Sequence, residues 1–271
     1  MIALATASQK GGVGKTTLCI NLAYSLARRG WKTLLVDTDP QGGVGLSLAR
    51  SARSKAGFYD YLCGLERDAE RLVLATRLPE LEILPAGQYD NAARLGWPAQ
   101  EVAIRLDDLL RAAERRGVDC LILDTAAGLN AMSESVVKAC DYVILPQQSE
   151  PLAMRSVPHM LETLSRFRSE GARVKVAGIL LTMVSQESQV SQKVAAELRA
   201  LLPRDMIFDQ NVPRLNSFLE ASALGIPVAL LKKNPPPEAL LYDQIAAEIE
   251  RRTGLIDEGE APSHTHSGLL D

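Results

Sequence analysis

Apolar positions along this chain fall into two alternating patterns. Ile2-Ala3-Leu4-Ala5-Thr6-Ala7 is an unbroken run of strand length, and Leu18, Leu22 and Leu26 then recur at helical spacing. Thr33-Leu34-Leu35-Val36-Asp37, Val118-Asp119-Cys120-Leu121-Ile122-Leu123-Asp124 and Gly178-Ile179-Leu180-Leu181-Thr182-Met183 repeat the first pattern, and Val102, Leu106, Leu109, Leu110 and Ala113 repeat the second. Strands apolar on both faces are strands covered on both faces. Strand ends are expected near residues 7, 37, 86, 124, 146 and 182. Their alternation with helices predicts an α/β fold, a doubly wound, mostly parallel sheet with helices on both sides. Pro235-Pro236-Pro237 breaks the chain before a last helix over 238–252.

Length and composition fit one such domain. The chain has 271 residues, 46% hydrophobic and only 4% aromatic, which suits an aliphatic sheet between helices. Residues 1–252 are expected to form a single domain. The tail over 253–271 carries four acids and no lysine or arginine after Thr253, and is expected to be disordered. Residues 43–78 are less periodic. Arg50, Arg53 and Lys55 precede Phe58-Tyr59-Asp60-Tyr61-Leu62, which predicts a solvated loop and helix beside a small apolar anchor. Met1 abuts the first strand without a charged leader, and no apolar stretch approaches a membrane span, so a cytoplasmic protein is expected. Cys19, Cys63, Cys120 and Cys140 show no paired spacing, which predicts reduced thiols.

The chemistry is concentrated in Ser8-Gln9-Lys10-Gly11-Gly12-Val13-Gly14-Lys15-Thr16. This run sits between the first strand and the first helix, where Gly11, Gly12 and Gly14 let backbone N–H groups curl around phosphate. Lys15 is placed to reach the β- and γ-phosphates, and the Thr16 hydroxyl to ligate magnesium. Lys10 is not required by a simple phosphate loop, and a second cation there is costly unless an anion arrives. With that lysine the run resembles the deviant Walker A motif of the ParA/MinD ATPases. The resemblance extends to about Arg252.

Other residues follow from that resemblance. Asp37-Thr38-Asp39-Pro40-Gln41-Gly42 is similar to switch I of the ParA (Soj-like) branch, which implies that Asp39 positions the attacking water and lies at the metal. Asp124 then closes the Walker B strand, near magnesium through water, and Thr125-Ala126-Ala127-Gly128 matches switch II. Alanines 126 and 127, where chromosome-partition members carry prolines, are closer to the MinD branch. The longer switch I run favours ParA. Thr182, Met183, Pro213 and Arg214 match the family's base-binding positions, and with residues 10–17, Val13 and Thr17 included, they complete the implied nucleotide site. Ser185 and Ser217 depart from the family pattern, Ser217 standing where many members carry a cation.

The resemblance implies an ATPase that binds ATP and Mg²⁺ and closes as an ATP-dependent homodimer with Lys10 crossing to the partner's phosphates. Lys10, Lys15 and Asp39 would be its catalytic groups, with slow intrinsic turnover. It implies a nonspecific hold on DNA at the nucleoid and release by a ParB-like or other cargo-bound activator. Net charge is −3, which argues no global case for DNA. Residues 151–235 nonetheless hold eleven lysines and arginines against seven acids. Arg199, Arg204, Arg214, Lys232 and Lys233 are the candidate contacts. A MinD-like membrane helix is the alternative. The last helix has Leu240, Leu241, Ile245 and Ile249 along one side but Glu238, Asp243, Glu248 and Glu250 elsewhere, so no stable membrane association is expected. An iron–sulfur ATPase would need cysteines in seam loops, and Cys120 and Cys140 are poorly placed for that.

Overall fold

A computed structural model of the chain describes residues 1–48, 55–89 and 99–256. Expectations resting on Arg50, Arg53 and the tail beyond 256 lie outside the described residues. Among the described residues, seven strands form one sheet: β1 (Ile2–Thr6), β2 (Thr33–Asp37), β3 (Leu74–Ala75), β4 (Leu81–Leu84), β5 (Cys120–Asp124), β6 (Tyr142–Gln148) and β7 (Lys175–Thr182). Their order is β3-β4-β2-β5-β1-β6-β7, parallel throughout except for the short β3–β4 pair at the edge.

Side chains alternate across each strand and sort into two cores. Ala3 and Ala5 of β1, Leu34 and Val36 of β2, and Leu121 and Leu123 of β5 face one side. Leu4, Leu35, Cys120 and Ile122 face the other. The first side is covered by α4 (Ala99–Arg115), α5 (Ala131–Ala139), α6 (Ala153–Ser169) and α7 (Gln189–Leu201), the second by α1 (Lys15–Arg28) and α9 (Pro237–Thr253). In α1 the stripe of Leu18, Leu22 and Leu26 is buried. Truncating such a leucine removes about 2–5 kcal/mol, because the close-packed surroundings relax only in part.

Helix ends follow local chemistry. The Asn130 carboxamide oxygen accepts the Ser133 N–H at 2.9 Å ahead of α5, and the Ser188 hydroxyl accepts the Ser191 N–H at 3.2 Å ahead of α7. Pro237 opens α9 and Gly254, with φ of 70°, closes it. Cys19, Cys120 and Cys140 are buried and Cys63 half-buried, all four as free thiols.

The apolar anchor expected over 58–62 is α3 (Phe58–Leu62), which is buried along its whole length. One expectation is corrected. In α9 the buried stripe is Ala239, Tyr242, Ile245, Ala246 and Ile249, while Leu240 is exposed. Glu248 and Glu250 are buried as well. Glu250 accepts from Arg29 Nε at 2.5 Å and from the Trp31 indole at 2.7 Å, and Glu248 pairs with Arg252 at 2.6 Å. Buried carboxylates are tolerated when paired in this way.

Candidate functional site

Strand register assembles the site. Thr6 stands opposite Asp124 across β1–β5, and Asp37 opposite Asp124 across β5–β2. The loop after β1 and two carboxylates therefore meet at the carboxyl edge of three adjacent strands, where open α/β sheets bind ligands. Gly12 and Gly14 take φ of 72° and 91°, a left-handed geometry that favours glycine. α1 starts at Lys15 immediately beyond, so the free N–H groups of its first turn face the loop. The loop after β5 is stitched to it. The Thr125 hydroxyl donates to the Thr6 carbonyl at 2.6 Å, and the Gly128 N–H to the Ser8 carbonyl at 2.9 Å.

Charge is balanced tightly there. Lys15 is buried, which lowers its pKa, while Asp124 and Asp39 pull the other way. Burial pushes Asp124 up to about 6, with the Thr16 hydroxyl beside it and Lys15 opposing. Burial and then the charge of Asp124 push Asp37 up to about 8, against N–H donors from Val44 at 2.9 Å and Asp39 at 3.2 Å. One oxygen of Asp124, Oδ2, is buried without a hydrogen-bond partner among the described residues. Positive charge brought by a ligand would relieve these carboxylates. The hydroxyl of Thr16, the orphaned oxygen of Asp124 and the carboxylate of Asp39 form a hard oxygen set that fits magnesium. Among the described residues no group of three or more His, Cys, Asp or Glu could hold a metal by itself, so phosphate oxygens would have to complete the shell.

Asp39 is fixed more firmly than an exposed strand-end acid. Its Oδ1 accepts the Gln41 N–H at 2.9 Å and its carbonyl accepts the Gly42 N–H at 2.8 Å. Lys10 is held away from its own loop. Its Nζ lies 2.6 Å from Glu150 Oε2, just beyond the end of β6, and 3.2 Å from Oε1 of Gln148, the last residue of that strand.

The four base-site candidates converge. Thr182, Met183, Pro213 and Arg214 line one cavity of about 370 Å³ together with Val13 and Thr17. The Thr182 hydroxyl donates to the Val13 carbonyl at 2.8 Å, tying β7 to the phosphate loop. Met183 has φ of 52°, unusual for a residue with a side chain and the kind of strain found at binding sites. Phe218 and Tyr242 also line this cavity, edge-on to each other at 6.0 Å. Neither is legible in the sequence: Phe218, on the helix Asn216–Leu224, and Tyr242, on α9, meet at the loop only through the fold.

The candidate DNA contacts do not behave alike. Arg199 Nη2 donates to the carbonyl of Phe208 at 3.0 Å and to Asn211 Oδ1 at 2.6 Å, and Arg214 faces the Met183 sulfur at 3.8 Å. Both guanidinium groups make contacts within the chain, yet both side chains are exposed, as are Arg204, Lys232 and Lys233. Ser217, where many family members carry a cation, donates to Glu238 Oε1 at 2.8 Å, so a carboxyl group lies at that spot.

A glycine loop at the junction of β1 and α1, within a doubly wound parallel sheet, defines a P-loop nucleotide-binding fold. The family model described as "AAA domain" matches residues 1–176. The chromosome partitioning protein ParA of Caulobacter vibrioides is 36% identical over 233 residues, covering 84% of this chain and 86% of that protein. The chromosome-partitioning ATPase Soj of Thermus thermophilus is 33% identical over 252 residues, covering 92% and 95%. Among solved structures, a variant of Cyanothece McdA in complex with ATP superposes with a TM-score of 0.74 at 20% identity, covering 95% of this chain and 98% of that one. The chain belongs to the ParA/MinD family of P-loop ATPases. No helix among the described residues is long and apolar enough to cross a membrane.

Proposed function

We propose that this chain is a ParA-like positioning ATPase whose ATP-bound dimer holds nonspecific DNA and lets go on hydrolysis. The observation that supports this reading best is the convergence of Lys15, Thr16, Asp39 and Asp124 around one glycine loop, with Lys10 outside it. Residues 11–17 would hold the phosphates, and Thr182, Met183, Pro213 and Arg214 the base. Magnesium, when bound through Thr16 and Asp124, would neutralise charge between the β- and γ-phosphates. Asp39 orients the attacking water, and Lys15 stabilises negative charge on the transferring phosphoryl group, since phosphoryl transfer is chiefly positioning and electrostatics. Lys10, released from Glu150, reaches the phosphates of a second copy. ATP thereby favours the dimer.

Residues 1–252 act as one domain in this scheme. Turnover without an activator is slow, and a cargo-bound protein of the ParB kind raises it. The protein works in the cytoplasm, at the nucleoid while ATP is bound. DNA contact falls to Arg204, Lys232 and Lys233, doubled by dimerisation, with Arg199 and Arg214 in supporting positions. The membrane reading is disfavoured because the apolar stripe of α9 is packed against the sheet.

The test is cosedimentation of Asp39→Ala with random-sequence duplex DNA, with ATP, ADP or neither, over a salt series. Binding that requires ATP and weakens steeply with salt is expected. Dimers that ignore DNA would overturn the DNA part and leave the ATPase part standing.

A further inference from the structure

We propose that Tyr59 is a positioning residue for ATP hydrolysis, holding the peptide that carries Asp39. Its phenol donates to the Thr38 carbonyl at 2.8 Å, in a buried setting. That carbonyl belongs to the peptide bond joining Thr38 to Asp39. The other groups of Thr38 are also committed: its N–H and its hydroxyl donate to the Asp124 carbonyl at 2.9 and 2.7 Å. Asp39 itself is tied forward through Gln41 and Gly42. The phenol adds the restraint on the carbonyl of that peptide. The Asp39 carboxylate is then aimed from a backbone with little freedom left.

The scaffold that presents the phenol is rigid. The Phe58 and Tyr59 N–H groups donate to the carbonyls of Pro85 and Ala86, both at 2.8 Å, just past the end of β4. Asp60 accepts the N–H of Gly57 at 2.8 Å and of Gln88 at 3.0 Å. Tyr59 meets Phe58 edge-on at 5.3 Å and Tyr89 at 4.9 Å. Burial raises its pKa far above the ordinary phenol range, so it remains a donor at any working pH. A buried tyrosine hydroxyl finds some partner in most folds. Here the partner is the one carbonyl that precedes the proposed water-positioning acid, and α3 lies more than fifteen residues further along the chain.

The inference rests on the proposed role of Asp39, and the experiment separates the two. Tyr59→Phe and Asp39→Ala are compared by steady-state hydrolysis, ATP affinity, melting temperature and amide exchange. Tyr59→Phe is expected to lower kcat about tenfold, the scale of a modest misplacement of a reacting group, with KM and ATP affinity unchanged. Exchange should accelerate at 38–42 while β5 and α1 stay protected. An unchanged kcat overturns the inference, as does a joint fall in kcat, affinity and melting temperature, which would mark a packing role. If Asp39→Ala turns over normally, the role of Asp39 fails, and a slow Tyr59→Phe would then be acting elsewhere. Should Tyr59→Phe not fold, 3-fluorotyrosine at position 59 keeps the ring and changes the donor strength. It must shift kcat at unchanged ATP affinity, and no shift overturns the inference.

Discussion

The phosphate loop over residues 8–16 and the described parts of the stretch from Gly43 to the end of β4, residues 43–48 and 55–84, are built by opposite means. The loop is dictated locally: glycines at positive φ, a helix that starts at Lys15, and a strand that stops at Thr6. The segment is dictated by distant contacts. α2 (Gly43–Leu48) hangs on Asp37 through the N–H groups of Val44 and Gly45, α3 hangs on the turn after β4, and Tyr59 reaches back to Thr38. On the proposed function, one region supplies the groups that meet the ligand, and the other fixes where they stand. Substitutions in the two should therefore fail differently.

The sharpest break on the loop side is Lys15→Ala. It removes the buried cation between Asp124 and Asp39, and ATP affinity should fall at least about 100-fold, consistent with the cost of leaving buried charges uncompensated. The fold itself should persist. Titration with a fluorescent nucleotide, alongside circular dichroism, checks both halves; near-normal affinity would remove Lys15 from the phosphate site.

On the other side, Gly57→Ala should break the fold first. A Cβ there would lie 2.0 Å from the Pro85 carbonyl oxygen, so backbone must move. A loss of about 3 kcal/mol in urea unfolding is expected, with turnover falling more than ATP affinity. If Gly57→Ala melts like the wild-type chain, the segment is not the rigid support described above.

The difference between the regions also explains what could be read from the chain. Strand ends near 7, 37, 124 and 182 match β1, β2, β5 and β7, because buried parallel strands leave unbroken apolar runs. β6 runs on to Gln148, two residues past the expected end, since its last residues are polar although buried. The apolar character of α3 was legible, but what holds it was not: Asp60 pairs with the Gly57 and Gln88 amides, and the second of these is brought to it only by the fold. The same holds for Glu248 and Glu250, whose partners come from elsewhere in the fold. The cavity beside the loop was half legible. Thr182, Met183, Pro213 and Arg214, which line it, stand out through their motif neighbours, while Phe218 and Tyr242 carry no local sign of where they point.

Lys10 belongs to the locally written loop, but its partner does not. Glu150 lies beyond β6, and both side chains are about 40% exposed, so the ion pair contributes no more than about 1 kcal/mol to stability. Glu150→Gln should leave melting nearly unchanged and free the lysine. ATP-dependent dimers should then form at several-fold lower protein concentration, measured by light scattering, whereas Lys10→Ala should form none. Dimers retained by Lys10→Ala would count against the crossing lysine.

The smallest expected effect concerns proton balance at the point where the two regions meet. Asp37, from the end of β2, accepts from α2, and burial together with Asp124 raises it to about 8; Asp124 itself is raised to about 6. Both values lie above those of an unfolded chain, near 3.8. The native state thus keeps protons that the unfolded state has released, and stability falls as pH rises from about 4 towards about 8. The contribution of Asp124 is exhausted first, and that of Asp37 persists to the upper end. Lys15, lowered by burial, acts in the opposite sense towards alkaline pH, so the comparison belongs between pH 5.5 and 8. Melting of the nucleotide-free protein should drop by a few degrees across that interval. With magnesium and ATP present the cations stabilise the ionised carboxylates, so the slope should flatten and binding should release protons, detectable as a buffer-dependent heat. A nucleotide-free melting temperature that climbs from pH 5.5 to 8 would mean that these acids are already ionised, and that the charge at the strand ends is balanced without a ligand.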